Sequence, residues 1–326
     1  MKKFFLRKQV LIATAVAIST LISATSFAKK AKKAASADDL KGTISISGAF
    51  ALYPITVKWA SEFKKLHPNV TFNISAGGAG KGITDVLSGL VDIGLGSRDI
   101  DPSEVKKGAY TVFVTKDAVV PTFNAANPDA PTLLVKGVKR DQFLKVFVTG
   151  DITNWKQLGG NVSVPIHIYT RSDAAGAAET WAKYFNKKQE DLLGVAVYGD
   201  PGLAQAVKKD VTAIGFNNLS YIYDLKTRKQ VAGVHVLPID VNGNGKIDAN
   251  ENFYGTIDEL TAAIADGRYP SPPSRDLSFV FKGRPQKKEL IEFVKYVLTQ
   301  GQQFVDENGY IQLSKAKIQG ELRKVN

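Results

Sequence analysis

The sequence contains no cysteine and only three histidines, His67, His167 and His235, which are widely scattered. The first absence excludes disulfides, a thiolate nucleophile and a lipid attached to an N-terminal cysteine. The second leaves no HExxH pattern and no Cys/His metal cluster, and no GxSxG elbow is present, so the common hydrolase signatures are missing. Long apolar runs are also scarce. Val10 to Ile22 is too short for a comfortable membrane span, and no repeat at solenoid spacing occurs.

That apolar run has a different use. Lys2, Lys3, Arg7 and Lys8 precede it and Ser26-Phe27-Ala28 follows it, the layout of a cleavable signal peptide over residues 1–28. Cleavage would leave 298 residues, enough for two domains of common size, in the periplasm. Residues 29–39 read as a disordered basic leader carrying Lys29, Lys30, Lys32 and Lys33. The formal charge of +12 shrinks to +8 without the four basic residues of the signal, and to +4 without these lysines. That is an ordinary balance, and nucleic acid is not expected as a partner.

The remainder alternates strand and helix patterns, which indicates an α/β protein with largely parallel sheets. Three times a strand runs into a small-residue loop and then a helix. Thr43–Ile46 leads into Ser47–Tyr53, and Pro54 opens a helix with Ile55, Trp59, Phe63 and Leu66 on one face. Val70, Phe72 and Ile74 lead into Gly77-Gly78-Ala79-Gly80-Lys81-Gly82 and a helix bearing Ile83, Val86, Leu87 and Leu90. Val164–Tyr169 leads into Thr170–Gly176 and a helix bearing Ala178, Trp181, Ala182 and Phe185. Glycines let backbone N–H groups approach a ligand, and a helix N-terminus carries partial positive charge, so such a unit suits an anion, although it also serves as a plain tight turn. The glycine spacing matches neither GxxxxGK[ST] nor GxGxxG, so nucleotide binding is not supported. Arg171 sits at the mouth of the third unit, where a guanidinium can grip an oxyanion in bidentate fashion. Asp173 beside it either caps the helix or holds Arg171. Asp92, in an otherwise apolar strand, needs a partner or a solvated edge, and Arg98 is a natural partner for it or a second anion contact.

Residues 240–251 match the twelve-position calcium loop D-x-[DN]-x-[DN]-G-x5-E at every fixed place. Asp240, Asn242, Asn244, Asp248 and Glu251 would supply side-chain oxygens, Lys246 its carbonyl, and Gly245 the sharp turn. The pattern predicts one structural Ca2+. An Asn/Gly turn without metal is the plainer alternative.

Taken in order, Ser47-Gly48 with Tyr53-Pro54, Gly77–Gly80, Val91–Gly94 with Ser97-Arg98, Ile152–Trp155, Arg171–Gly176, Ile214–Phe216 and Gly301-Gln302 resemble the periplasmic phosphate-binding proteins of ABC importers. These are PstS-like members of the type II periplasmic binding proteins. The resemblance runs from about Gly42 to the C-terminus. It implies two lobes, each a mostly parallel sheet flanked by helices, with a cleft between them. The expected lobes are 40–123 with 217–326, and 124–216. It also implies a monomer that captures inorganic phosphate, or a related oxyanion or small organic anion, for the permease subunits of the importer without acting as an enzyme. The facing residues would be Ala49, Phe50 and Ala51, then Ala79 and Gly80, then Asp92, Arg171 and the turn Ala175-Gly176-Ala177. The family usually has Ser or Thr hydroxyls in these three loops, and here alanines and glycine stand there. Backbone N–H groups, Arg171, Arg98 and Lys81 would then do more of the work. Asp92 beside the anion would favour one that carries a proton, phosphate over sulfate. A phosphatase-like enzyme and a calcium-dependent structural module are the other readings.

Overall fold

In this computed structural model the described residues are 40–326, so the signal segment and the basic leader lie outside them. The strands are β1 Gly42–Gly48, β2 Val70–Ala76, β3 Ile93–Gly96, β4 Ala109–Asn124, β5 His167–Arg171, β6 Val195–Val197, β7 Ala213–Asn218, β8 Val234–Val236 and β9 Ser274–Lys282. The helices are α1 Tyr53–Leu66, α2 Ala79–Ser88, α3 Pro102–Lys106, α4 Ala130–Lys136, α5 Arg140–Leu144, α6 Gly176–Tyr184, α7 Gly199–Lys209, α8 Ile257–Ala265, α9 Lys288–Leu298 and α10 Lys315–Val325.

Apolar spacing explains the main helices. In α1, Ile55, Trp59 and Phe63 are buried one turn apart, and the Trp59 indole N–H donates to the Gly301 carbonyl at 2.8 Å. In α2, Ile83 and Val86 are buried, but Leu90 is exposed rather than part of the face. Gly89, at φ 82°, ends the helix in a left-handed C-terminal turn, which takes Leu90 off the helical repeat. The same helix lies close on β1. A Cβ on Gly82 would stand 2.5 Å from the Gly48 Cα, so only a glycine pair permits this approach.

The sheet order is β2-β1-β3-β9-β4-β7-β5-β6, with β8 alongside β4. Pairing is parallel among β1, β2 and β3 and among β5, β6 and β7. It is antiparallel at β3–β9, β9–β4, β4–β7 and β4–β8. The parallel character expected from the sequence therefore holds for the outer strands, and the central ones are antiparallel. Strand β4 serves both halves. Residues 109–118 pair with β9, and 119–123 pair with β7.

Two large apolar cores mark the lobes. One joins residues 40–114 to 277–325, and the other gathers 118–269 with Ile311. The chain thus passes between lobes at about 115–117 in β4 and 270–276 leading into β9, not at Phe123 and Asn217. Residues 219–269 belong to the second lobe because β8 pairs with the end of β4, and α8 buries Ile257, Leu260 and Ile264 in that core.

Candidate functional site

The three loop–helix units meet. After β1, the Ala49 N–H donates to the Leu95 carbonyl at 3.0 Å, and the N–H groups of Gly77 and Gly78 donate to the Gly48 carbonyl at 2.9 and 3.1 Å. The starts of α1 and α2 are thereby tied together. The turn after β5 reaches them from the other lobe. The Gly80 N–H donates to the Ala174 carbonyl at 3.0 Å, and a Cβ on Gly78 would stand 2.7 Å from Asp173 Oδ2. Gly176, the first residue of α6, lies against Ser97, where a Cβ would stand 2.5 Å from the Ser97 carbonyl oxygen. The Tyr221 hydroxyl donates to the Phe50 carbonyl at 3.1 Å. Three helices therefore begin around one cleft. Each points its positive end there, although α1 has few free donors, because the Tyr53 N–H donates to the Ala49 carbonyl at 3.1 Å and Pro54 has no N–H.

Arg171, at the end of β5, is the cation of this cleft. Its side chain is 1% exposed. Nε and Nη2 donate to Asp173 at 2.9 and 2.7 Å, and Nη1 donates to Asp200 Oδ2 at 2.7 Å. The guanidinium carbon lies 5.5 Å from the Phe50 ring centroid. Burial disfavours the charge, but Asp200 and Asp173 outweigh it and raise the Arg171 pKa further above its ordinary value. A guanidinium has five N–H groups, so two remain for a ligand. Asp173 also accepts the Gly199 N–H at 3.1 Å. It therefore orients Arg171 and caps α7, rather than capping its own helix.

Ala49, Phe50, Ala51, Ala79, Gly80, Arg171, Asp173, Ala175, Gly176 and Ala177 thus lie in or beside the converging turns. Ala49, Ala51, Ala79, Ala175 and Ala177 are buried. Several of their polar groups are already used. The Ala175 N–H donates to Gln189 Oε1 at 3.0 Å, and the Ala51 carbonyl accepts the Tyr310 hydroxyl at 2.7 Å.

Three expected residues stand apart. Asp92 precedes β3, at the end opposite Ser97. Its Oδ2 accepts the Ser45 N–H at 2.8 Å and the Ser45 hydroxyl at 2.7 Å, and Oδ1 accepts from Lys287 Nζ at 2.6 Å. Burial opposes ionisation, but Lys287 and Ser45 hold this carboxyl below its usual range. Asp92 is a strand-end anchor, and the parallel register puts its neighbour Ile93 beside Ile46, before the Gly48 end of β1. Arg98 is held in a fork by Glu104, with Nη1–Oε2 at 2.9 Å and Nη2–Oε1 at 2.7 Å. Its donors answer to α3. Lys81 pairs with Asp85, whose carboxylate also accepts the Ser47 hydroxyl at 2.6 Å.

The sequence reading missed Asp200, Asn218, Asp117, Arg275 and Ser97 around the cleft. Asp200 lies in Gly199-Asp200-Pro201-Gly202, which reads as a turn, and Arg275 follows the proline-rich 270–273 stretch. Neither context carries a local sign of burial. A groove of about 730 Å3 runs along the same lobe junction, lined by residues including Arg98, Ala175, Lys183, Gln189 and Arg275.

The fold defines a two-lobed α/β protein in which three loop–helix units converge between the two cores. The profile of the PBP superfamily domain matches residues 33–300, and the chain belongs to that superfamily. A phosphate-binding protein PstS of Bacillus subtilis is 28% identical over 279 residues, 85% of this chain and 83% of the relative. A putative phosphate ABC transporter substrate-binding protein from Clostridium perfringens, solved with bound phosphate, superposes with TM-score 0.69 at 25% identity, covering 84% of this chain and 100% of that one. An ABC-type phosphate transport receptor from Vibrio cholerae has the same fold, with TM-score 0.61 at 22% identity over 83% of this chain and 100% of that one.

Proposed function

We propose that this chain captures phosphate between its lobes and hands it to the permease subunits of an ABC importer outside the cytoplasm. Arg171 carries the reading. It is a buried guanidinium with two uncommitted N–H groups, set where α1, α2 and α6 begin. Charge-assisted bonds from it, each contributing on the order of 1.5–3 kcal/mol, would hold the anion, with helix N–H groups replacing side-chain hydroxyls. Release would need the lobes to part about the two crossing strands, a hinge motion. The reading is binding without chemical change, in keeping with a family of transport receptors, and it takes residues 1–28 as a cleaved signal. Among the described residues no helix is long and apolar enough to cross a membrane. Isothermal titration with phosphate, arsenate and sulfate tests the ligand. Binding of phosphate and arsenate but not sulfate is expected. Absence of phosphate binding at millimolar concentration sinks the reading and leaves another oxyanion or a small organic anion. Compaction on ligand addition, seen by small-angle scattering, tests closure, and N-terminal sequencing of exported protein tests cleavage before Lys29.

We also propose that residues 240–251 hold one structural Ca2+. Asp240 and Glu251 are 3% and 4% exposed, and their carboxylates accept backbone N–H groups of the loop from Gly243 and Gly245, and from Val241, Asn242 and Asp248. The amides of Asn242 and Asn244 both turn to Asp248 Oδ2, at 3.0 and 2.6 Å. Among the described residues no trio of His, Cys, Asp or Glu is gathered tightly enough to hold an ion alone. The donor set therefore depends on the two asparagines and the Lys246 carbonyl as well. Only Asp240, Asp248 and Glu251 bring charge, so moderate affinity is expected. Ca2+ at about a hundred times its Kd would add roughly 2.7 kcal/mol of stability. A melting temperature unchanged by excess chelator would return this loop to a plain turn.

A further inference from the structure

One end of the first lobe is strongly basic. It lies at the Gly42 end of β1, away from the Gly48 end where the loop–helix units converge. Strand register brings several chain segments together there. The Asp92 N–H, just before β3, donates to the Ser45 carbonyl at 2.9 Å. Antiparallel pairing sets Gly94 against Val280 and Ala109 against Lys282, and the Gly283 N–H donates to the Gly108 carbonyl at 2.7 Å. The start of β4 and the end of β9 are therefore level with the start of β3. Helix α1 ends at Leu66, just before Val70, which is the partner of Gly42. With neighbouring strands about 4.8 Å apart, the run β2-β1-β3-β9-β4 makes an end about 20 Å wide. Lys106, Lys107, Lys282, Arg284, Lys287 and Lys288 are exposed on it, with Lys41 and Lys64 beside them at β1 and α1. Two carboxylates stand among these cations. Asp92 accepts from Lys287 Nζ at 2.6 Å, and Glu289 lies against Gly42, where a Cβ would stand 2.7 Å from its Oε1. The surplus of six positive charges equals the whole side-chain surplus of residues 40–326, which hold 35 Lys and Arg against 29 Asp and Glu. The remaining side chains of those residues balance.

Apolar side chains are exposed at the same end. Leu66 closes α1, Leu90 precedes β3 and Val105 adjoins Lys106, and they are 51%, 73% and 56% exposed. Cations with aliphatic side chains between them fit a surface that is negative outside and apolar just beneath. We propose that this end of the first lobe docks on an anionic lipid bilayer. The lysines and Arg284 meet the headgroups, and Leu66, Leu90 and Val105 enter the interface. Each Lys or Arg close to such a surface strengthens binding about fivefold, so the effect is spread over many side chains. The chain also enters the fold at this end, through Lys41 and Gly42, after a segment that holds Lys29, Lys30, Lys32 and Lys33. Strand β1 runs from this end toward the cleft, so docking leaves the cleft open to its ligand. Nucleic acid fits this end less well. Among the described residues Tyr198, in the second lobe, is the one aromatic in the exposed apolar set, so no ring stands here to stack on a base. The inference does not depend on which anion the cleft holds.

The test is co-sedimentation of the exported chain with vesicles. Vesicles of phosphatidylcholine with about one-third phosphatidylglycerol should bind it in about 0.1 M salt, and binding should fall away at about 0.5 M as screening grows. Vesicles of phosphatidylcholine alone should not bind it. Lys282→Gln with Arg284→Gln should weaken binding about 25-fold, and Leu90→Ser should weaken it several-fold. Lys226→Gln with Lys229→Gln, on an exposed turn of the second lobe, should leave it unchanged. Melting temperatures close to wild type show that these surface variants remain folded. Changing Lys29, Lys30, Lys32 and Lys33 to Gln separates the leading segment from the folded end. Binding lost on that change but untouched by the variants at Lys282, Arg284 and Leu90 overturns the proposal. Equal binding to both kinds of vesicle, or none to either, does the same. Retention of duplex DNA that depends on Lys282 and Arg284, without vesicle binding, overturns it in favour of a nucleic-acid surface.

Discussion

Asp117 and Arg275 stand opposite each other in the antiparallel β4–β9 ladder, with Arg275 Nε donating to Asp117 Oδ1 at 2.9 Å. They lie on the two segments by which the chain passes between its cores. Arg275→Met should destabilise the protein by about 3–5 kcal/mol, because it strands the buried Asp117 carboxylate. Replacing both residues with apolar ones of similar size should cost much less. Urea denaturation of the single and double variants measures the difference, and equal losses would show that Asp117 does not depend on this partner.

Arg171→Ala should weaken phosphate binding about a hundredfold or more, since roughly 1.4 kcal/mol is one factor of ten. It should also lower stability, because Asp173 and Asp200 lose their cation. Calorimetry and thermal melting report the two effects separately. Unchanged affinity would move the anion away from β5.

Gly80→Ala separates closure from folding. A Cβ at Gly80 would meet the Ala174 Cβ of the other lobe at 2.5 Å. Within α2 the change should be neutral or favourable by up to about 1 kcal/mol, since alanine is the better helix former. Stability should therefore hold while phosphate affinity falls about tenfold, with overpacking across the cleft the cause. Equal affinity would mean that the lobes do not close at this contact when ligand binds.

Asp92→Asn is expected to leave the phosphate-to-sulfate ratio unchanged, because the Asp92 carboxylate belongs to Ser45 and Lys287. Its effect should fall on stability. The folded pKa is depressed, so the stabilisation is present above the unfolded value near 4 and is lost as pH falls through the folded value. The half-exposed Lys287 limits its size to on the order of 1 kcal/mol. Wild type and variant should differ at pH 7 and converge below about pH 4. A shift in anion preference would put Asp92 back at the cleft.

Much of the site was legible before the fold was known. The loop–helix units ending in Ala49–Ala51, Ala79-Gly80 and Ala175–Ala177 come from apolar periodicity and small-residue loops, both short-range properties. Arg171 and Asp173 are two residues apart, so their pairing was also within reach. Asp92 misled because a lone carboxylate in an apolar strand shows that a partner is needed without showing which. Its partners come from β1 and from Lys287 at the start of α9, far away in sequence.

The sequence by itself determined the α/β alternation, the three anion-type turns and the calcium-type loop, because each depends on residues within about one turn or strand of one another. Tertiary structure decided where the chain crosses between lobes, since that depends on which core receives α8 and β8. It decided that Arg98 serves Glu104 rather than an anion. It also brought together Asp117, Asp173, Asp200, Arg171 and Arg275, which come from three strands, a turn and a helix start. Only the tertiary fold buries them side by side as paired carboxylates and guanidiniums.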